Sequence, residues 1–313
     1  MHPFPYVEFD LSDLKTYALK SRQSKVRVED FAAAVPVAAT VTQFFDALPD
    51  ILAAADFKAI VKALRAARND GGGIVWGLGA HVIKTGLGPV LIDLMERGFV
   101  SAIATNGATI IHDFEIALVG ATSEDVDAAL GPGRFGMADE TGRLLNGAIN
   151  DGVREGLGIG QAVTRYLAAK SPQHARSSVL ATAARLDIPV TVHVAIGTDI
   201  IHMHPAASGA AIGEGSLRDF RYFVANVARL ERGVYLNCGS AVVLPEVFLK
   251  AVALSRNKGI PLRELTTVNI DFARAYRPHT NVVTRPTAAG GRGYSLIGHH
   301  EIILPLLAAA IKH

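Results

Sequence analysis

Residues 74–86 read Ile-Val-Trp-Gly-Leu-Gly-Ala-His-Val-Ile-Lys-Thr-Gly. A short apolar run breaks at glycines, and a helix follows around Leu87 to Arg97. That cadence of strand, tight turn and helix recurs along the chain. Val100 to Ala104 is the next strand and ends in Thr105-Asn106-Gly107. Residues 111–119 read as a helix, residues 142–169 as one or two more, and Arg176 to Leu186 as another. Ile188 to Ile196 is a long, β-branched strand of the type buried on both faces of a parallel sheet. Ser216 to Leu230 is a helix, Val234 to Asn237 a strand, Leu244 to Arg256 a helix, Thr266 to Ile270 a strand, and about Glu301 to Ile311 the last helix. Upstream, Leu48 to Ala67 has helical spacing and stops at Asn69-Asp70-Gly71-Gly72-Gly73. Residues 1–46 read as an irregular arm broken by Pro3, Pro5 and Pro36.

The expected fold class is therefore α/β, a Rossmann-like parallel sheet with helices on both faces and a helical N-terminal arm. The expected division is residues 1–70, arm and helices, and residues 71–313, a single α/β domain. Right-handed crossovers gather the strand C-terminal ends at one edge, where ligands of such sheets bind.

Composition narrows the partners. Of 313 residues, 50% are hydrophobic and only 19% charged, which implies a sizeable core and some surface buried against other copies. Lys+Arg total 31 against 29 Asp+Glu, without like-charge runs, so no nucleic-acid footprint is expected. The single cysteine, Cys238, leaves no intrachain disulfide framework or CxxC site and fits a reducing compartment. Apolar runs are too short for a membrane span, and no signal-peptide pattern opens the chain. A cytoplasmic protein with no membrane partner is the expectation.

Several segments leaving strands carry groups suited to chemistry. Gly77-Leu78-Gly79-Ala80-His81, ending in Lys84-Thr85-Gly86, reads either as a tight turn or as backbone that approaches a phosphate. Asn106-Gly107 favours a turn, and His112 and Glu115 share a helical face. Asp113 lies between them. His202-Met203-His204 on extended backbone points two imidazoles to one side, suiting Zn²⁺, a ligand-contacting loop or a structural pair. His193, His299 and His300 are further metal-ligand candidates. Glu214-Gly215-Ser216 reads as a plain capped turn, with Ser216 as N-cap, or as a ribose contact through Glu214. Cys238 is a packed residue or a nucleophile. The stretch Asp271 to Tyr294 reads as a long loop whose arginines, Arg285 among them, suit an anionic ligand.

The order of these segments resembles the deoxyhypusine synthase family. Gly79 to Gly86, then Val100 to Ala104 with Thr105-Asn106-Gly107-Ala108, looks like its opening. Glu214-Gly215-Ser216-Leu217-Arg218-Asp219 resembles its Asp-Gly-Ser-Leu-Gly-Asp segment. Gly298-His299-His300-Glu301 through Leu307 resembles the start of its final helix. The likeness spans about residues 73–311. It implies an NAD-binding domain, a homotetramer and a small-molecule amine or amino-acid substrate. It places cofactor contacts near His81, Lys84, Thr105, Asn106, Gly107, Glu214, Gly215, Ser216, Gly239, Gly298 and His299. The family's Trp-Gly-Lys motif has no counterpart. Thr284-Arg285-Pro286 stands near its place, and a guanidinium forms no imine. The histidine that family carries shortly after its glycine-rich turn is also missing, with Leu244-Pro245 standing there. The segment Asn106 to Leu118 also looks like the NAD-dependent ornithine cyclodeaminase domains of this fold. The expected activity is a transferase or oxidoreductase at an amine or amino-acid C–N bond, rather than deoxyhypusine synthesis. His112, Asp113, His202, His204 and Arg285 are the candidate catalytic residues. Two other readings remain: a non-catalytic nucleotide-binding protein, and a metal-dependent hydrolase using His202 and His204.

Overall fold

The computed structural model describes residue 4 and residues 6–312, so Pro3 and Pro5 lie outside the described residues. Among these, six strands form one parallel sheet: β1 (Ile74–Leu78), β2 (Ala102–Asn106), β3 (Val190–His193), β4 (Val234–Cys238), β5 (Thr266–Asp271) and β6 (Arg292–Ile297). Their spatial order is β3-β2-β1-β4-β5-β6. The chain runs outward from β1 to β3, returns to lay β4 against the other side of β1, and runs outward again. The doubly wound order thus reverses between β1 and β4.

Helices α1 (Val41–Asp46) and α2 (Leu52–Asn69) precede the sheet. Helices α3 (Ala80–Lys84) and α4 (Gly88–Glu96) join β1 to β2. Five helices lie between β2 and β3: α5 (Gly107–Val119), α6 (Val126–Leu130), α7 (Asp139–Arg154), α8 (Ile159–Lys170) and α9 (Val179–Arg185). Helix α10 (Gly209–Val227) joins β3 to β4, and α11 (Val243–Asn257) joins β4 to β5. The one-turn α12 (Tyr276–Pro278) runs into π-helical His279–Thr284, and α13 (His300–Lys312) ends the described chain.

The inner strands are buried and largely apolar because both faces are covered. Ile74, Trp76 and Leu78 of β1 pack on one face with Ile110 and Phe114 of α5, Leu91 of α4 and Leu307 of α13. Val75 faces the other side, with Phe223 and Val227 of α10 and Phe248 of α11. The Trp76 indole, fully buried, donates to the Phe99 carbonyl at 2.9 Å, which meets the need of a buried N–H. Phe57, Ile60 and Leu64 bring α2 into the same core as the sheet. Most of residues 6–40 stand away from it, with Tyr6, Phe9, Leu14, Tyr17 and Phe31 exposed.

Three expectations are corrected. Residues 271–294 are not a single loop: α12, the π-helical turn and the start of β6 lie within them. A strand holding Arg292 and Gly293 and buried only at Leu296 carries too little apolar signal to be read. Ser216 is not an N-cap: Ser208 caps α10 by accepting from Ala211 N, so Glu214, Gly215 and Ser216 lie inside the helix. Finally, the ladder of β3 ends at His193 rather than Ile196. Beyond it the Ser216 hydroxyl takes the Val194 N–H and donates to the Val192 carbonyl, both at 3.1 Å.

Candidate functional site at the sheet switch point

The C-terminal ends of β1 and β4 meet where the strand order reverses. Gly79 N donates to Cys238 O at 2.8 Å, and Gly239 N to Ile270 O at 3.1 Å. A Cβ on Gly79 would fall on the Gly239 carbonyl, so only glycine lets the two turns approach this closely. Gly239, at φ +70°, would set any side chain against the His300 ring. His300 is fully buried at the start of α13 and its Nε2 donates to Ile270 O at 3.0 Å, leaving Nδ1 buried without a partner. The exposed His81 ring stands edge-on to His300 at 5.5 Å, and Phe272 lies beside it at 6.2 Å. Gly298 N anchors the turn before α13 on Asp271 O at 3.0 Å, and His299 next to it is exposed. The turns after β1, β4 and β6 thus meet at the switch point, where sheets of this order form their binding crevice, and the buried Nδ1 of His300 stands behind them without a partner.

A polar cluster lies at the neighbouring β2 and β3 ends. The Asn106 side chain caps α5 by accepting from Thr109 N at 3.0 Å. The Thr105 hydroxyl is buried and donates to the Leu78 carbonyl at 2.8 Å. A Cβ on Gly107 would meet the Asp199 carboxylate; without one, that carboxylate reaches the N-terminus of α5. Burial pushes Asp199 above the usual carboxylate range, while His202 and the Ala108 N–H pull it down. His202 Nδ1 lies 3.1 Å from Gly197 N and 3.3 Å from Asp199 N. It therefore accepts, the proton sits on Nε2, and that atom is buried and unpartnered 3.9 Å from Asp199 Oδ2. One turn down α5, His112 Nδ1 meets Thr122 Oγ1 at 2.7 Å. Burial holds His112 below the usual imidazole value; Glu115 opposes this and Lys84 adds to it.

The other candidates fall elsewhere. His202 and His204 do not share a side, because residues 200–203 form a 3₁₀ turn rather than extended backbone. His204 instead takes the Ala206 N–H at 3.1 Å and faces Asp139 at 3.6 Å. Among the described residues no three His, Cys, Asp or Glu side chains group as a metal site. His193 is buried and held down to about 3 by desolvation, so it stays neutral. Asp113 is buried and accepts from Ser178 Oγ, Val179 N and Leu180 N, which ties up its carboxylate as the anchor of α9. Glu214 pairs with Arg218 on an exposed helix face, and Gly215 packs on Ile159 and Val153. Arg285 binds Asn281 Oδ1 at 2.9 Å beside Glu246. Cys238 is buried and its thiol is pushed upward, the reverse of an activated nucleophile. A hollow of about 660 Å³ between α8, α9, α10 and the start of β3 lies on the opposite sheet edge. His300 is expected only as a metal-ligand candidate, and Asp199 is not among the predicted site residues. The Gly298-His299-His300 turn was a signal for the first; nothing local signals the second.

Residues 58–165 match the family model described as arginine dihydrolase ArgZ-like, C-terminal, Rossmann fold. No curated protein sequence matches the chain. Among solved structures, a protein described as LOR/SDH from Methanococcus maripaludis S2 superposes with TM-score 0.53 at 18% identity, over 82% of this chain and 69% of that one. AgrE, in its ternary complex with ornithine and NAD+, superposes with TM-score 0.55 at 20% identity, over 82% of this chain and 32% of AgrE. The chain thus spans about a third of AgrE's length. A protein described as a deoxyhypusine synthase from Entamoeba histolytica superposes with TM-score 0.52 at 12% identity, over 87% of this chain and 93% of that one. The fold expected from the segment order is the fold found. No helix among the described residues is long and apolar enough to cross a membrane.

Proposed function

We propose that this chain is an NAD-dependent enzyme that oxidises the C–N bond of an amine or amino acid. The observation that carries the reading is the crevice between β1 and β4. Its glycines keep side chains out of the turns that meet there, as at the switch points where such sheets bind dinucleotides. The side-chain-free turns at Gly79 and Gly239 and the buried, unpartnered His300 Nδ1 behind them fit a dinucleotide. Gly79, Gly239 and Gly298 would border it, their own N–H groups being given to the Cys238, Ile270 and Asp271 carbonyls, with His81 and His299 at the rim. When bound, NAD supplies the acceptor for the two electrons and hydrogen that leave the substrate carbon. The chain's own part is to position the substrate and take up its proton.

The cluster at the head of α5 is the substrate side of this reading. His112, neutral at pH 7, suits proton uptake. Asp199 suits an ammonium group, and His202 Nε2–H suits a carboxylate. The match of AgrE, crystallised with ornithine and NAD+, supports an amino acid. The buried free Cys238 suits the reducing conditions of a cytoplasm.

The chain also assembles with copies of itself in this reading. Its support is the arm, where Tyr6 is fully exposed and Phe9 is 87% exposed. Such a display of large apolar side chains is covered in a stable protein. Removing residues 1–40 is expected to lower the number of chains per particle measured by light scattering.

The functional test is thermal shift with NAD, NADH and NADP, followed by an absorbance screen of amines and amino acids. A rise of several degrees with one dinucleotide and turnover with an amine are expected. Binding without turnover would favour the non-catalytic reading. No shift with any dinucleotide would overturn the assignment of the crevice.

A further inference from the structure

We infer that Thr122 and Glu115 are positioning residues that fix His112 as the tautomer with its proton on Nδ1 and its lone pair on Nε2. The inference rests on the reading of the α5 cluster as the substrate side of the site. Its starting point is the chain reversal after α5. Gly120 closes the helix at φ +71°, in the left-handed region that glycine adopts freely. Thr122 is thereby turned back along the helix it has just left.

The hydroxyl of Thr122 has one proton to give. It lies 2.5 Å from Glu115 Oε2, a carboxylate that only accepts, so that proton is committed to Glu115. Toward His112 Nδ1, at 2.7 Å, the same oxygen acts as acceptor. Nδ1 must then carry the ring proton. The other carboxylate oxygen, Oε1, takes the Thr141 hydroxyl of α7 at 2.9 Å, so Glu115 is held from two directions. The opposite ring nitrogen, Nε2, has no protein partner and keeps its lone pair for an incoming group.

The charged groups facing the ring are Glu115 on its own helix and Lys84 on α3. The segment after α5 presents the neutral hydroxyl of Thr122, and α7 presents Thr141. The chemical step is a single proton transfer. The substrate ammonium loses one N–H proton, Nε2 gains it, and the imidazolium that forms keeps its Nδ1–H bond to Thr122. Glu115, one hydroxyl away, offsets the new charge. A ring in the other tautomer would present Nε2–H, which has no lone pair to take the proton.

The test is nitrogen-15 histidine spectroscopy of the ligand-free full chain, with the His112 signals assigned by their absence in His112→Gln. The wild type is expected to show a protonated Nδ1 and an unprotonated Nε2 at pH 8. Thr122→Val should shift His112 toward the Nε2–H form, and Thr122→Ser should restore the wild-type pattern. With a substrate in hand, Thr122→Val should lower kcat about 10-fold or more with KM within about 3-fold, and Thr122→Ser should recover it. Glu115→Gln should move the acidic limb of the kcat profile to lower pH. A wild-type ring protonated on Nε2, or a Thr122→Val spectrum like wild type, would overturn the inference. The expected spectra without turnover on any amine would leave the relay standing and remove the functional reading, so the two failures are distinguishable.

Discussion

The crevice between β1 and β4 and the cluster at the head of α5 share one sheet edge, yet they are built by opposite means. The crevice is made of main chain. Gly79 and Gly239 approach because neither has a Cβ, and His300 stands behind them. The cluster is made of side chains that arrive from α5, α7, the segment after α5 and the turn after β3. A backbone cradle tolerates no added atoms, whereas a side-chain cluster tolerates shape changes but not loss of a donor or acceptor. The two therefore fail differently under mutation.

The largest effect is expected at Gly79. Gly79→Val drives a branched side chain into the Gly239 carbonyl and should abolish the thermal shift with any dinucleotide. The stability cost is about 3 kcal/mol. Affinity within about 3-fold of wild type would break the contrast, because the crevice would then not be made of main chain in any functional sense. Asp199→Asn comes next. It keeps the shape, weakens the hold on α5 and should cost about 1–2 kcal/mol in denaturant unfolding. The dinucleotide shift should persist while any turnover falls, separating the two regions.

Asp219 sharpens the contrast from outside both regions. Its carboxylate takes Gly160 N at 2.9 Å and Val192 N at 2.8 Å, and burial pushes it to about 7. A carboxyl raised above its unfolded value contributes stability that is fully present below about pH 4. That contribution is lost as pH rises through about 7. Thermal scans from pH 4 to pH 8 should show wild type losing stability relative to Asp219→Asn over that window. A parallel pair of curves would show that Asp219 stays ionised throughout. The smallest effect belongs to His204, whose partly exposed ring lies 3.6 Å from Asp139. His204→Gln should change stability by under about 1 kcal/mol and leave turnover alone. A large loss of turnover would return the His202–His204 pair to the chemistry.

These contrasts also explain what the sequence made legible. Strands buried on both faces, such as Ile74 to Leu78, announce themselves by composition, and glycines mark where they end. Even so, the start of α10 was hidden, because Gly209, Gly213 and Gly215 weaken a helical reading that tertiary packing restores. Outermost β6 was hidden for want of apolar residues. The cluster at α5 was legible only in part. His112 and Glu115 lie on one helical face, but Thr141 stands 26 residues from Glu115. No periodicity announces that contact. Asp113 and Asp199 make the same point: both are buried carboxylates at helix N-termini, and only the fold decides which is fully partnered.

The hold of α10 on β3 has a consequence for how copies of this chain can meet. An outermost strand normally presents a row of open N–H and C=O groups, a template for another strand. Here Ser216 takes up the Val192 carbonyl and the Val194 N–H, and Asp219 takes up the Val192 N–H. That margin of the sheet is sealed against strand addition. Joining two molecules into one continuous sheet through β3 is closed off while α10 stays docked. A variant that frees α10 would unseal the margin as well as lose stability, and its first symptom should be aggregation rather than simple unfolding.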